Sequence, residues 1–152
     1  MLGSPIMVEA INGVLQSKLE SFQLMCERLE VLDPHDALFL LRHAFSLPKL
    51  TYFLRTSPCF KNTEILKKYD NAMRVALIRI LNVGMEDSSW DQCSLPVRMG
   101  GLGVRTASEV SLPAYLSSVS ATFECITPLL PTYLRNEVNP FFTQATFQWS
   151  NL

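Results

Sequence analysis

The sequence predicts an all-α protein built as an irregular bundle of about five to seven helices, and three observations support this class. Apolar residues recur at steps of three and four along several segments, which is the period of an amphipathic helix. Proline, glycine and capping residues separate those segments. Hydrophobic residues make up 48% of the 152 residues, which is enough apolar material for one core.

Three helices are predicted in the first third of the chain. The first runs from Ser4-Pro5, a capping residue followed by a proline, to about Val31. Asp33-Pro34 begins a second helix in the same way, and Pro48 limits it. A short third helix follows over residues 49–55. The first helix carries an apolar stripe at helical spacing, namely Val8, Ile11, Leu15, Leu19, Phe22, Cys26 and Leu29.

A fourth, long helix is predicted to begin with Thr63 as its cap and to end at Gly84, a residue suited to a left-handed terminus. Ser88 and Asp91 then form a capping-box pattern around Trp90. We interpret this tryptophan as an apolar anchor between the two halves of the chain.

A Pro/Gly-rich connector is predicted near residues 95–104. Gly100, Gly101 and Gly103 have the spacing of neither a Walker loop nor a dinucleotide fingerprint. We therefore expect a tight turn that allows a neighbouring backbone to approach closely. Arg105, which follows the connector, is expected at the surface.

The last part of the chain contains one clear helix. Thr106 and Glu109 form a capping box, and a kink is expected at Pro113. From Thr132 the pattern is too weak to predict an element. The sequence thus predicts a single helical domain with two subregions, residues 1–85 and 86–152.

Charge is distributed unevenly along the chain. The net charge is −1, yet the segment from Arg42 to Arg79 has eight basic and two acidic residues, a local charge of +6. The remaining chain has five basic and twelve acidic residues, a charge of −7. The near-neutral total argues against strong nucleic-acid binding by the isolated chain, whereas the basic middle is the main candidate for contact with phosphates.

No catalytic or metal-binding pattern is evident. The four cysteines each stand more than thirty residues from the next, so we expect reduced thiols in the core. His35 and His43 lie eight residues apart without a third ligand nearby, so we predict neither a metal site nor a cofactor. The sequence has no apolar run that could span a bilayer and no signal-peptide pattern. We therefore expect an intracellular protein, in the cytoplasm or nucleus, without a membrane partner.

Three stretches, in this order, carry a resemblance to a known family. They are LGSPI (2–6), HDALFLLRHAFSLPKLTYFLRTSP (35–58) and LPVRMGGLGVRTASEVSLPAYLSS (95–118). Together with Trp90 they resemble the region downstream of the polymerase palm in reverse transcriptases of non-LTR-type retroelements. The resemblance covers roughly residues 2–122 and implies a helical, thumb-like segment followed by a connector.

The sequence departs from this family at its catalytic centre. A reverse transcriptase holds two magnesium ions on palm aspartates that include an adjacent Asp-Asp pair. The present sequence contains no Asp-Asp, and we expect no polymerase activity from this chain alone. Its aspartates fall at predicted helix caps, helix surfaces or turns, namely Asp33, Asp36, Asp70, Asp87 and Asp91.

The resemblance implies a non-catalytic role in which basic side chains contact an RNA or DNA duplex beside a separately encoded palm domain. We expect the basic side chains of the central segment to line up on one exterior ridge. The predicted contact residues are Lys49, Arg55, Lys61, Lys67, Lys68 and Arg74. The alternative is a helical module for protein interaction or self-association. A small hydrolase that uses Cys or His is the weakest of the three hypotheses.

Overall fold

Seven α-helices make up most of the computed structural model, which describes Pro5, residues 7–134 and residues 139–152. A π-helical turn, Leu41–Phe45, continues the second helix, and short 3-10 turns join several others. Over the described residues there is no strand, so the all-α prediction is confirmed. The helices are α1 (Glu9–Leu29), α2 (Pro34–Leu40), α3 (Leu47–Thr56), α4 (Thr63–Leu81), α5 (Asp87–Ser94), α6 (Ala107–Ile126) and α7 (Pro140–Ser150).

The core lies between α1, α3, α4 and α6. α1 packs along α4, and α6 packs against both α3 and α4. At the centre, the ring of Phe22 on α1 stacks on that of Tyr69 on α4, with the ring centroids 4.4 Å apart. The Tyr69 hydroxyl donates to the carbonyl of Ser46 at 3.2 Å, which ties α4 to the start of α3. Burial raises the pKa of the Tyr69 phenol, so this hydroxyl keeps the proton that it donates.

A smaller apolar cluster attaches the C-terminal helix. Phe60, Leu112, Tyr115 and Ala145 are buried together and join the 3-10 turn Cys59–Lys61 to α6 and α7. The apolar pattern beyond Thr132 predicts no element, yet α7 has a clear local start signal. The Asn139 side chain accepts hydrogen bonds from the amides of Phe141 and Phe142 at 3.0 and 3.3 Å, and Pro140 follows it in the first turn.

An aspartate of α4 caps the N-terminus of α6. Asp70 is 8% exposed, and its carboxylate accepts three hydrogen bonds. The amide of Ala107 donates at 2.5 Å, and the amide and hydroxyl of Ser108 donate at 3.0 and 2.5 Å. Burial raises the pKa of the Asp70 carboxyl, and the bonds from Ser108 and Ala107 oppose that rise. The first amides of a helix have no acceptor within that helix, and Asp70 supplies one for the amides of Ala107 and Ser108.

The predicted capping box of α6 is therefore replaced by a different arrangement. Thr106 does occupy the cap position, but its side chain accepts no hydrogen bond from an amide of the helix. Instead the Thr106 hydroxyl donates to the Glu109 carboxylate at 2.6 Å, since Asp70 already takes the first amides. The helix continues past Pro113 to Ile126.

Several predicted helix starts are shifted. α1 begins at Glu9, not at Pro5, and Ser4 lies outside the described residues. The Glu9 carboxylate thereby sits in the first turn, where the helix dipole favours it. Pro48 does not end α2 but occupies the first turn of α3, where its missing N–H costs nothing. Asp33, by contrast, caps α2 as predicted and accepts from the His35 amide at 3.0 Å.

The boundaries around α4 and α5 also differ from prediction. Thr63 is the first residue of α4 rather than its cap, and no side chain caps that helix. Its left-handed terminal residue is Asn82, with φ 50°, instead of Gly84, because asparagine also tolerates this conformation. α5 begins one residue before the predicted Ser88 cap, so the Ser88–Asp91 box is not formed.

Replacing Asp70 should destabilise the fold strongly. Asp70→Ala removes the acceptor of three donors in or near the core, and we expect a loss of about 3 kcal/mol in the free energy of unfolding. Asp70→Asn keeps one acceptor oxygen and should lose about 2 kcal/mol. Urea denaturation followed by circular dichroism measures both.

Asp87→Asn is the matched control. Asp87 is 92% exposed and pairs only with Arg74 at 2.7 Å, so its loss should cost at most about 1 kcal/mol. Equal losses for the Asp70 and Asp87 variants would contradict the structural role given to Asp70.

Candidate nucleic-acid interface

An oblique row of three side chains runs along the exposed side of α3. Lys49, Tyr52 and Arg55 follow one another at steps of three residues, and all three are exposed. We call these residues the α3 row. The Lys49 ammonium lies 3.1 Å from the Met25 sulfur and 5.2 Å from the centre of the Phe45 ring. These two contacts orient the Lys49 side chain, and neither involves a carboxylate that would neutralise its charge.

Two exposed lysines of α4 face different neighbours. Lys67 lines a groove of about 270 Å³ with Trp90 and Glu109, on the side of α4 that faces α6. Lys68 lines a groove of about 480 Å³ with Glu27 of α1, on the other side of the helix. Both lysines are thus exposed on α4, and each lines a groove to which a carboxylate side chain also contributes.

Arg74 is engaged within the protein. Its guanidinium donates to the Asp87 carboxylate at 2.7 Å and to the Met85 carbonyl at 2.8 Å. These bonds join α4 to the segment that leads into α5. Arg79, farther along α4, forms an ion pair with Glu30 at 2.9 Å. Neither arginine offers a fully unpaired charge to a ligand.

Lys61 lies away from the other predicted contacts. Its ammonium stands 5.0 Å from the centre of the Phe141 ring and so bridges the 3-10 turn after α3 to α7. The residue is exposed, and no described carboxylate lies within ion-pair distance of it.

The predicted contact residues therefore belong to separate surfaces. α3 and α4 each pack on α6, and their exposed sides hold different members of the set. The single exterior ridge expected from the sequence is not formed, because Lys61 lies beside α7 and Arg74 is paired with Asp87. Within the described part of the chain, the α3 row places two cations and an aromatic ring at exposed positions three residues apart on one helix, and neither cation forms an ion pair.

The glycine-rich connector folds back on the end of α5, as its composition predicts. The amides of Leu102 and Val104 both donate to the carbonyl of Cys93, at 3.2 and 3.1 Å. A Cβ atom at Gly101 would lie 2.1 Å from the Leu95 carbonyl oxygen, so only glycine fits there. The close backbone approach expected at this turn is confirmed. Gly100 and Gly103 have φ values of 84° and 66°, which side chains rarely adopt.

Two further motif residues have distinct environments. Trp90 is half-buried and packs against the main core cluster. Arg105 is exposed, as expected, and with Arg42 it is among the residues that line a groove at the start of α3. Arg42 is not predictable as a site residue, because nothing in its local sequence indicates that the connector will fold over it.

The described residues contain no group of three or more His, Cys, Asp and Glu side chains that could hold a metal ion. His43 instead packs against the ring of Phe39, with centroids 4.7 Å apart. Burial raises the pKa of the Cys26 and Cys59 thiols to about 12, which disfavours the nucleophilic thiolate. None of the described helices is long and apolar enough to cross a membrane.

No protein-family model, curated protein or solved structure matches this chain.

Gly101→Ala should destabilise the protein by about 3 kcal/mol or more, because the added methyl group would overlap backbone atoms of α5 and the connector. Thermal and urea denaturation measure this loss.

Gly84→Ala provides the comparison, since a Cβ at that position meets no atom within 4 Å and the backbone is not left-handed. We expect this variant to differ from the parent by less than about 0.5 kcal/mol. A Gly101→Ala protein of parental stability would contradict the close approach.

Proposed function

We propose that this chain is a non-catalytic helical segment of a reverse-transcriptase-like protein and that it contacts the sugar–phosphate backbone of a template–primer duplex. The α3 row is the observation that carries the proposal. It offers two exposed cations to phosphate oxygens and an aromatic ring to a sugar or base, in an oblique row across the exposed side of α3.

The electrostatics of the chain favour a modest contribution to binding. The net charge of −1 provides no long-range attraction, so affinity depends on the local cations. The two charges of the α3 row and those of Lys67 and Lys68 lie on separate helix faces, and a rigid duplex would engage them unequally. Such a segment suits the role of steadying a duplex that a separate palm domain holds.

The absence of an Asp-Asp pair from the sequence supports a non-catalytic role. In polymerases, paired aspartates hold the metal ions that drive nucleotide transfer. Asp70 is buried, and its carboxylate accepts hydrogen bonds from the amides of Ala107 and Ser108 and from the Ser108 hydroxyl. It is a structural group in this proposal.

Binding to a fluorescent RNA–DNA duplex should weaken with added salt, and the α3 row should carry most of this dependence. Each phosphate contact contributes a slope of about −0.9 to log K against log salt concentration, so two contacts give a slope of about −2. In the variant Lys49→Gln/Arg55→Gln the slope should fall close to zero. Fluorescence anisotropy over a salt series measures it.

The variant Lys67→Gln/Lys68→Gln is the matched control, because it removes the same charge from exposed positions on α4. It should retain most of the parental slope. If this variant loses the slope while the α3 variant keeps it, the α3 assignment fails. If the parent protein shows no salt-dependent binding, the proposed function fails.

Self-association is the second candidate function, and an apolar surface near the C-terminus favours it. From α6 onward, large apolar side chains between 47% and 90% exposed accumulate on the end of α6, the turns after it and α7. They are Phe123, Ile126, Leu129, Tyr133, Phe147, Trp149 and Leu152. A second copy of the chain could cover this surface.

If this second function holds, the mass measured by light scattering should rise with protein concentration and be unaffected by added duplex. Phe147→Ser/Trp149→Ser should shift the protein towards monomer by removing apolar area from α7. Val31→Ser, at an exposed apolar position outside this surface, is the control. A parent protein that stays monomeric at all concentrations would exclude self-association.

A further inference from the structure

A groove of about 470 Å³ lies where the glycine-rich connector crosses the start of α3. Its lining residues come from the π-helical turn Leu41–Phe45, the first turns of α3, the end of α5, the connector and α6. π-Helical turns recur at functional sites in proteins. The polar side chains of the lining are those of Arg42, His43, Ser46, Thr51, Ser94 and Arg105.

Two arginines from distant parts of the chain line this groove. Arg42 comes from the π-helical turn and Arg105 from the end of the connector. Among the described residues, no carboxylate lies within ion-pair distance of either guanidinium. The Arg42 side chain lies against Gly103, where a Cβ atom would stand 2.9 Å from its Nη2 atom. Glycine at this position therefore leaves room for the guanidinium against the connector.

The rest of the lining favours an anion. It contains no acidic residue, and the nearest acid of α6, Glu109, already accepts a hydrogen bond from Thr106. Ser46 and Leu47 place the N-terminus of α3 at the groove, and the positive end of the helix dipole adds to the two cations. The hydroxyls of Thr51 and Ser94 donate to backbone carbonyls at 2.8 and 2.7 Å, so the guanidinium groups are the main donors.

We propose that this groove binds the terminal phosphate monoester of a nucleotide. Two guanidinium groups match the charge of about −1.5 to −2 on a phosphate monoester, whereas an internal phosphodiester carries only one negative charge. Paired N–H groups of arginine bind such oxygens in a fork geometry. Apolar side chains of Leu47, Val97 and Val110 border the cations and offer a surface for the sugar and base.

The groove leads directly to the α3 row. Thr51 lines the groove, and Arg55 lies one helical turn farther along the same face of α3. A strand whose terminal phosphate sits between Arg42 and Arg105 can therefore continue past Arg55. The choice of a nucleic-acid strand end as the source of the phosphate rests on the proposed function, whereas the phosphate site itself does not.

The experiment compares a 5′-phosphorylated oligonucleotide with the same oligonucleotide carrying a 5′-hydroxyl, using anisotropy with a 3′ fluorophore. The phosphorylated strand should bind about tenfold more tightly. Arg105→Gln, at an exposed position, and Arg42→Lys, which keeps the charge but loses the fork, should each remove this preference. Arg98→Gln is the matched control, because Arg98 is exposed and does not line the groove.

Three further outcomes are decisive. Binding of adenosine monophosphate measured directly by calorimetry, lost in Arg105→Gln, together with no binding of either strand would support the site with a free nucleotide as its ligand and would refute the proposed function. Equal affinity for the two strands and no competition by adenosine monophosphate would overturn the site and leave the proposed function standing. Competition by a phosphoserine peptide but not by adenosine monophosphate would also overturn the proposal.

Discussion

The buried carboxylate of Asp70 fixes where the second half of the chain meets the first. Its cost of burial is offset only if the amides of Ala107 and Ser108 reach it, so α6 has one favourable place to begin. Val104, which precedes that start, is buried in the main cluster together with Ala107. The connector that leads to this start contacts the end of α5 and Arg42, and together they contribute to the lining of the groove.

Features that depend on neighbouring residues could be predicted from the sequence. The apolar stripe of α1, the Asp33 cap and the tight turn at Gly101 each arise within a few residues of chain. Interactions across the chain could not be predicted. Asp70 and its partners lie 37 and 38 residues apart, and no local pattern distinguishes this aspartate from a solvated one. The start of α7 is different: Asn139-Pro140 is a local signal for a helix start, but the apolar pattern after it is too weak to predict a helix.

The ion pairs of the candidate interface also could not be predicted from the sequence. A count of basic residues identifies the central segment, but it does not reveal which cations find partners inside the protein. Asp87 pairs with Arg74 from 13 positions away and Glu30 pairs with Arg79 from 49 positions away. Both pairings engage cations of α4 within the protein, whereas the two cations of the α3 row form no ion pair with a described residue.

The attachment of α7 has a consequence for how the molecule opens. Within the described residues, this helix packs chiefly on α6 through the small cluster around Phe60 and Tyr115, with the Lys61–Phe141 contact at its edge. The main cluster contains no residue of α7. Detachment of α7 therefore costs less free energy than global unfolding and leaves the bundle of α1, α3, α4 and α6 intact. The rings of Phe60 and Tyr115 therefore owe part of their burial to this last helix.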